Sequence, residues 1–451
     1  MNTPAKSVNA WILPSEDDPS GTNYQSPTSS FQNLITYGVY NYLDMVNICF
    51  ANTVKTGSHT VPTGDGSTHT VELQPKIHTP GGYTNDQYMK WIIQDARKMN
   101  PDIKILLTLG YANDEFTQIF SGPESGWQAQ ATAYANNVVA YLKNYGLNGF
   151  DIDWEWDFST DTPKSMMSMV LQALRTALNA QPQIYYLTLS PATNEHLDGS
   201  VVNDTIDFIN MQLYCDCTGP GDYTGIGIQQ SLLAYGAKFE SKGNGDTTPY
   251  QNAQDAYSGM TGGSIKYGIS TQWRLNSGDF QYEQAQQMIL SQLVNGIPGT
   301  TFDDTPIIGA AGNPTISQMV VRSGEVLDAI QATNSGSFEG DPVSYILLQH
   351  GGNGGNPSTV AIPAGDTISE VSGYTGIWYG WQCVLQITIK TAGGKVFGPF
   401  GTMTSATSKI PFTYTAPSGK SIVAFSGSIV EVPLAGGGLT YIVASLNATF
   451  A

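Results

Sequence analysis

The chain is poor in charge, and poorest in positive charge. Only 12% of its 451 residues are Asp, Glu, Lys or Arg, and 19 Lys and Arg stand against 37 Asp and Glu, for a net charge of −18. That balance argues against nucleic acid and anionic membrane surfaces as partners, because both require basic patches. Cysteine is also scarce. Cys49, Cys215, Cys217 and Cys383 are too scattered for a disulfide framework. Cys215 and Cys217 are too close for a usual metal pair and have no second pair, so free thiols are expected. His59, His69 and His78 sit among Thr and Ser at spacings unlike a metal site, and no metal or cofactor is implied. Apolar runs are short. None reaches the roughly 20 residues of a transmembrane helix, and Met1 to Lys6 lack the apolar core of a secretory signal. The expectation is action outside the cell after non-classical export or release, or otherwise a cytoplasmic location.

What is present is apolar substance and aromatic rings. Hydrophobic residues make up 40%, enough for large cores, and the length calls for two or three domains. The 24 Tyr and 8 Trp, with abundant Gly, Thr, Ser and Asn, suit a carbohydrate-facing surface, since amphipathic rings stack on sugars while their polar edges stay wet.

One stretch organises the chain: Asn148-Gly149-Phe150-Asp151-Ile152-Asp153-Trp154-Glu155-Trp156. In a strand, side chains alternate faces. Asp151, Asp153 and Glu155 therefore share one face, and Ile152, Trp154 and Trp156 the other. Helix-like segments flank the stretch, at 127–145 and 163–178, which predicts a buried parallel strand. Three acids on one buried face are costly unless paired or protonated, and their crowding drives their pKa values apart, as general acid catalysis requires. Trp154, Trp156, Trp127 and Trp91 are expected in the core or packed on helices.

Other strands are predicted at 8–13, 45–51, 104–110, 184–190, 207–214 and 266–271, with an eighth at 296–302. A long polar loop is expected over 52–83, and helices at 86–99 and 282–293. This alternation predicts a (β/α)8 TIM barrel over residues 1–304, with its active site at the C-terminal strand ends. Tyr111, Tyr214 and Trp273 would lie on that rim.

After residue 304 the texture changes to alternating Gly, Ser, Thr, Ile and Val. Three similar strands start at Ile316, Ile368 and Ile422, each running into Ser-Gly. A period of roughly 50 residues marks a repeated unit and predicts an all-β domain over 305–451 with threefold repetition.

The acidic stretch resembles the motif of family 18 glycoside hydrolases, the chitinases and their relatives, with Asn148 where the family has its first Asp. The resemblance implies cleavage of β-1,4 N-acetylglucosamine linkages, in chitin or its oligomers, by substrate-assisted catalysis with retention. Glu155 would be the acid and then the base. Asp153 would orient the acetamido group, and Asp151 would sit deeper and share a proton with it. Tyr214 would hold the acetamido oxygen, and Tyr111, Met211, Gln212 and Trp273 would contact substrate. The family usually has a floor Trp on strand eight; no Trp lies between Trp273 and the C-terminal domain, so Phe302 or Trp273 would substitute or the floor is missing. An endo-β-N-acetylglucosaminidase acting on N-glycans and a catalytically silent chitinase-like lectin remain open alternatives. The C-terminal half resembles the jacalin-like lectins, a β-prism. It implies a second glycan held at Gly324-Glu325-Val326-Leu327-Asp328, with Gly351 and Gly352 adding backbone amides. Tyr441 stands where the third repeat would carry its Asp, and Trp378, Tyr379 and Trp381 cluster in the second.

Overall fold

The computed structural model describes residues 2–57, 67–112, 114–215, 217–240, 251–297, 299–338, 340–434 and 437–451; His59 lies outside them. The chain divides into two compact units, Met1–Glu240 with Asp255–Glu283 and Ser241–Gln254 with Gln284–Ala451. Among the described residues no helix is long and apolar enough to cross a membrane.

The first unit is built on β1 (Ser7–Ile12), β2 (Met45–Lys55), β3 (His69–Leu73), β4 (Lys104–Leu109), β5 (Gly149–Ile152), β6 (Tyr186–Leu189), β7 (Phe208–Asn210), β8 (Leu233–Lys238) and β9 (Ile269–Trp273). All but β3 form a parallel barrel in the order β1-β9-β8-β7-β6-β5-β4-β2, closed by pairing of β1 with β2. The strands are short and almost wholly buried, as expected of a parallel sheet covered by helices. The helices carry their own start and stop signals. A capping box between Thr84 and Gln87 opens Asn85–Met99. Gly146, at φ +68°, ends Trp127–Tyr145.

Four sequence expectations need correction here. The polar stretch after β2 is in part a strand, because β3 folds back antiparallel on β2. The seventh barrel strand is β8, which sequence patterning missed. Its Leu-Ala-Tyr-Gly-Ala-Lys composition is weak in strand formers, and Gly236 is required there because any Cβ would run into the Met211 carbonyl. The expected seventh is therefore the eighth, β9. The expected eighth is a short strand, Thr301–Asp303, which pairs antiparallel with Ile422–Pro433 in the second unit. A disulfide joins Cys215 to Cys217, contrary to the expectation of free thiols. Their Cα atoms are 5.1 Å apart, within reach of such a bond. Cys49 and Cys383 are free and buried.

Among its described residues the second unit is all-β apart from the short helix Thr305–Ala310, most of the helix Phe280–Asn295 and the first residues of the helix Ala253–Gly262. It contains three long hairpins: Thr315–Ser323 with Leu327–Phe338, Ile368–Trp378 with Trp381–Thr391, and Ile422–Pro433 with Leu439–Phe450. The three repeated sequence segments fall on their first strands. Outer strands flank them, and one apolar cluster including Ile316, Ile368, Val384, Ile422 and Val443 fills the centre of the prism.

Candidate active site and candidate glycan loops

In the barrel, side chains enter in layers. Met45, Leu106, Phe208, Ala234 and Ile269 form an apolar layer, with Tyr186 against it. Gly149 stands at the level of Leu106 and Tyr186; a Cβ on it would meet the Tyr186 carbonyl at 2.5 Å. One step up, Thr108, Asp151 and Thr188 are register partners on three adjacent strands. Thr188 donates to Asp151 at 2.6 Å, Thr108 at 3.1 Å and Ser190 to both its oxygens at 2.9 Å. The network continues sideways. Asn210 donates to Ser190 at 3.2 Å, Thr271 to Asn210 at 2.5 Å and Asn9 to Thr271 at 3.3 Å. Asp151 is thus fully buried yet well bonded. Burial raises its pKa, and the hydroxyl donors offset part of that rise.

Strand β5 ends at Ile152, so Asp153 and Glu155 stand just beyond the barrel lip. Asp153 is buried, and Glu155 is partly open. The Gln212 amide nitrogen reaches both. It lies 2.9 Å from Asp153 Oδ1 and 3.2 Å from Glu155 Oε1, and also donates to the Ser190 carbonyl at 3.1 Å. Burial, then the Glu155 and Asp151 charges, push the Asp153 pKa well above the usual carboxylate range, against the pull of Gln212. Asp151 takes hydrogen bonds from the hydroxyls of Thr108, Thr188 and Ser190.

Tyr214 lies beyond β7, in the short turn Leu213–Cys215 rather than at a strand end. Burial first, then the charges of Asp153 and Glu155, raise its pKa well above its usual value. It therefore remains a phenol, able to donate. Met211 is buried, and its N–H bonds the Ala234 carbonyl at 3.3 Å. Tyr111 is half-exposed, edge-on to Phe50 at 5.3 Å. Burial, then the Glu155 and Asp153 charges, raise its pKa. Trp273 closes β9 and packs with Trp11 at 5.9 Å and Phe50 at 6.3 Å. It is thus the last residue of the eighth barrel strand. Trp154 is core, its indole bonded to the Glu195 carbonyl at 3.0 Å. Trp156, expected in the core, is half-exposed at the start of the short helix Trp156–Asp161, because the strand ends before it.

Sequence reasoning missed the residues that hold this site. Thr108 and Thr188 were visible as single hydroxyls inside apolar strands. Arg274 carried no local signal. It follows Trp273, bonds Glu240 at 2.5 Å and pairs with Glu16, tying the ends of β1, β8 and β9 together.

In the prism, Gly324 opens the turn before Asp328. Asp328 is nearly buried, and its carboxylate faces Gly354 and Gly355, where a Cβ would come within 2.3 and 2.5 Å of it. Burial raises its pKa; the Gly324 N–H and the Arg322 charge act against that. Arg322 holds the same loop through the carbonyls of Asn353 at 2.7 Å and Gly354 at 3.0 Å. Gly351, at φ +114°, would collide with the Asp328 carbonyl if it bore a Cβ. The Gly352 N–H is taken by the carbonyls of Tyr441 at 2.9 Å and Asp328 at 3.2 Å. Gly324, Asp328, Gly351 and Gly352 are therefore brought together, but the Gly352 amide expected to meet a sugar is already taken by these two carbonyls.

A closed parallel barrel with carboxylates beyond its fourth strand and aromatic rings on the same rim has the layout of a barrel glycosidase. Residues 20–277 match the Glycosyl hydrolases family 18, and the chain belongs to that family. Residues 291–431 match the Jacalin-like lectin domain. Among curated proteins the chain is similar to Endochitinase 1 of Metarhizium robertsii, 27% identical over 38% of this chain and 39% of that protein. It is also similar to Chitinase B of Serratia marcescens, 27% identical over 30% and 31% respectively. The match to the first of these spans about two fifths of its length. Among solved structures, a galactose-binding lectin from Champedak is 24% identical, over 34% of this chain and 99% of that one, with a TM-score of 0.26. The jacalin–T-antigen complex is 23% identical over the same shares, also with a TM-score of 0.26.

Proposed function

We propose that the barrel hydrolyses β-1,4 N-acetylglucosamine linkages, in chitin or its oligomers, with retention and with the substrate's own acetamido group as nucleophile. The carrying observation is the single Gln212 nitrogen bonded to both Asp153 and Glu155. Two carboxylates that flank a sugar from opposite sides leave room for it between them. Two that share one amide donor do not, so both act from one side. Glu155, the more open, protonates the leaving oxygen and then activates water. Asp153, whose environment favours its protonated form, bonds and orients the acetamido group, over the fixed base that Asp151 and its hydroxyls provide. Tyr214 donates to the acetamido oxygen, Trp273 forms the floor of the sugar site, and Tyr111, Met211 and Gln212 line it. The chitinase names of the relatives support this reading.

The prism holds a second glycan at the loop of Gly324, Asp328, Gly351 and Gly352. Early-time NMR of products from chitin oligomers tests the barrel chemistry. The β anomer is expected to appear first; the α anomer first would contradict it.

A further inference from the structure

The barrel carries a recess at the end away from its carboxylates. Lys104 begins β4, Asn148 immediately precedes β5 and Tyr185 immediately precedes β6. These are the N-terminal strand ends, whereas Asp153 and Glu155 follow the C-terminal end of β5. With Arg97, Lys143 and Gln183, the three residues line a cavity of about 430 Å³. That is the volume of a small-molecule site.

Arg97, Lys104 and Lys143 converge on this cavity in a chain with only 19 basic residues, and among the described residues no acidic side chain lines it. Arg97 and Lys104 are half-buried, and Lys143 is exposed. Among the described residues none of the three pairs with a carboxylate. Arg97 donates to the Gly146 carbonyl and to Asn148 Oδ1, the latter at 3.3 Å. Lys104 donates to the backbone carbonyl of Asp102 at 2.8 Å. Arg97 and Lys143 also stand in the last turns of the helices Asn85–Met99 and Trp127–Tyr145, where the helix dipole favours cations. Helix ends account for neither Lys104 nor Asn148. Asn148 stands where the family motif has Asp, and its Oδ1 accepts the Ile105 N–H at 3.0 Å as well as the Arg97 guanidinium. A carboxylate there would make the same bonds and neutralise Arg97. The amide makes them and leaves the positive charge in place.

We infer that this recess binds a small anion of the phosphate class carrying two or more negative charges, at a site independent of the barrel chemistry. Three cations without carboxylate partners exceed what one carboxylate neutralises. A guanidinium presents paired donors that match phosphate oxygens, and ammonium groups add point charges around them. The chain as a whole has a net charge of −18. Nucleic acid or an anionic membrane would therefore meet repulsion over most of its contact. A small anion enters the recess and meets only the cations there.

Calorimetric titration of inorganic pyrophosphate into the full chain, at a constant ionic strength of ~0.1 M, tests this. Saturable binding is expected, with a Kd of about 1 mM or tighter, and the melting temperature should rise as the site fills. Lys143→Gln removes one cation from the exposed side and should weaken binding about fivefold. Asn148→Asp keeps an acceptor for Ile105 and Arg97 while adding a negative charge. It should weaken binding about tenfold, with the melting temperature of the free protein held or raised. That melting temperature separates loss of the site from loss of the fold. Absence of saturable pyrophosphate binding, or the parent's affinity in both variants, would overturn the site.

Discussion

At the scale of single residues, the site depends on how a few polar atoms are shared. Gln212 links Asp153 and Glu155 through one nitrogen, and its donor is the influence that lowers the Asp153 pKa against burial and two neighbouring charges. Replacing Gln212 by Ala removes a hydrogen bond to charged groups, worth about 1.5–3 kcal/mol. Turnover per binding event, kcat/KM, is expected to fall roughly 10- to 100-fold. With the donor gone, the Asp153 pKa rises further, so the limb of the pH–rate profile that follows its ionisation should move to higher pH. A profile displaced downward would contradict this. The acidic row at 151, 153 and 155 was legible in the sequence because period-two spacing survives in so short a strand. The proton shared between Asp151 and Asp153 was expected from the family resemblance; the structure adds that hydroxyls from neighbouring strands surround Asp151, while its charge still acts on Asp153. No local pattern encodes which strands will be neighbours.

At the scale of elements, two buried charges mark where the barrel is fastened. Arg175, from the helix Lys164–Asn179, pairs with Asp207 at 2.6 Å just before β7, and Asp207 also accepts the Leu187 N–H of β6 at 2.9 Å. Removing one partner of such a pair leaves a buried charge uncompensated. Asp207→Ala should therefore cost about 3–5 kcal/mol of stability, seen as a lower urea midpoint. Glu115, in the loop after β4, donates nothing while ionised and accepts the Thr53 N–H at the end of β2. Burial raises its pKa to about 7. A carboxyl raised in the folded state gives stability that is complete below its unfolded value and lost as pH rises through about 7. Glu115→Gln should flatten that loss, which thermal melts between pH 4 and 8 would show; an unchanged slope would contradict it. Element identity was legible where a strand is rich in Ile, Leu and Val, as in β4. It failed at β8, whose small residues serve a close backbone approach and leave no apolar signature. That single omission shifted the strand count, assigned Thr301–Asp303 to the wrong sheet and hid Trp273 as the end of the eighth strand.

At the scale of the whole molecule, an acidic chain carries a family 18 barrel and a jacalin-like prism. Both were legible, because one is announced by a motif and the other by a threefold repeat that falls on three equivalent hairpins. The central claim concerns the barrel: one side chain, Glu155, supplies both proton steps of glycoside cleavage. Replacing it with Gln keeps its size and an acceptor for Gln212 while removing the proton. The most direct measurement is the rate of chitin-oligomer cleavage by Glu155→Gln beside oligomer binding to the same variant. A fall of about 10²–10⁴-fold in rate, with binding largely kept, is the predicted result; cleavage at the unsubstituted rate would contradict the account.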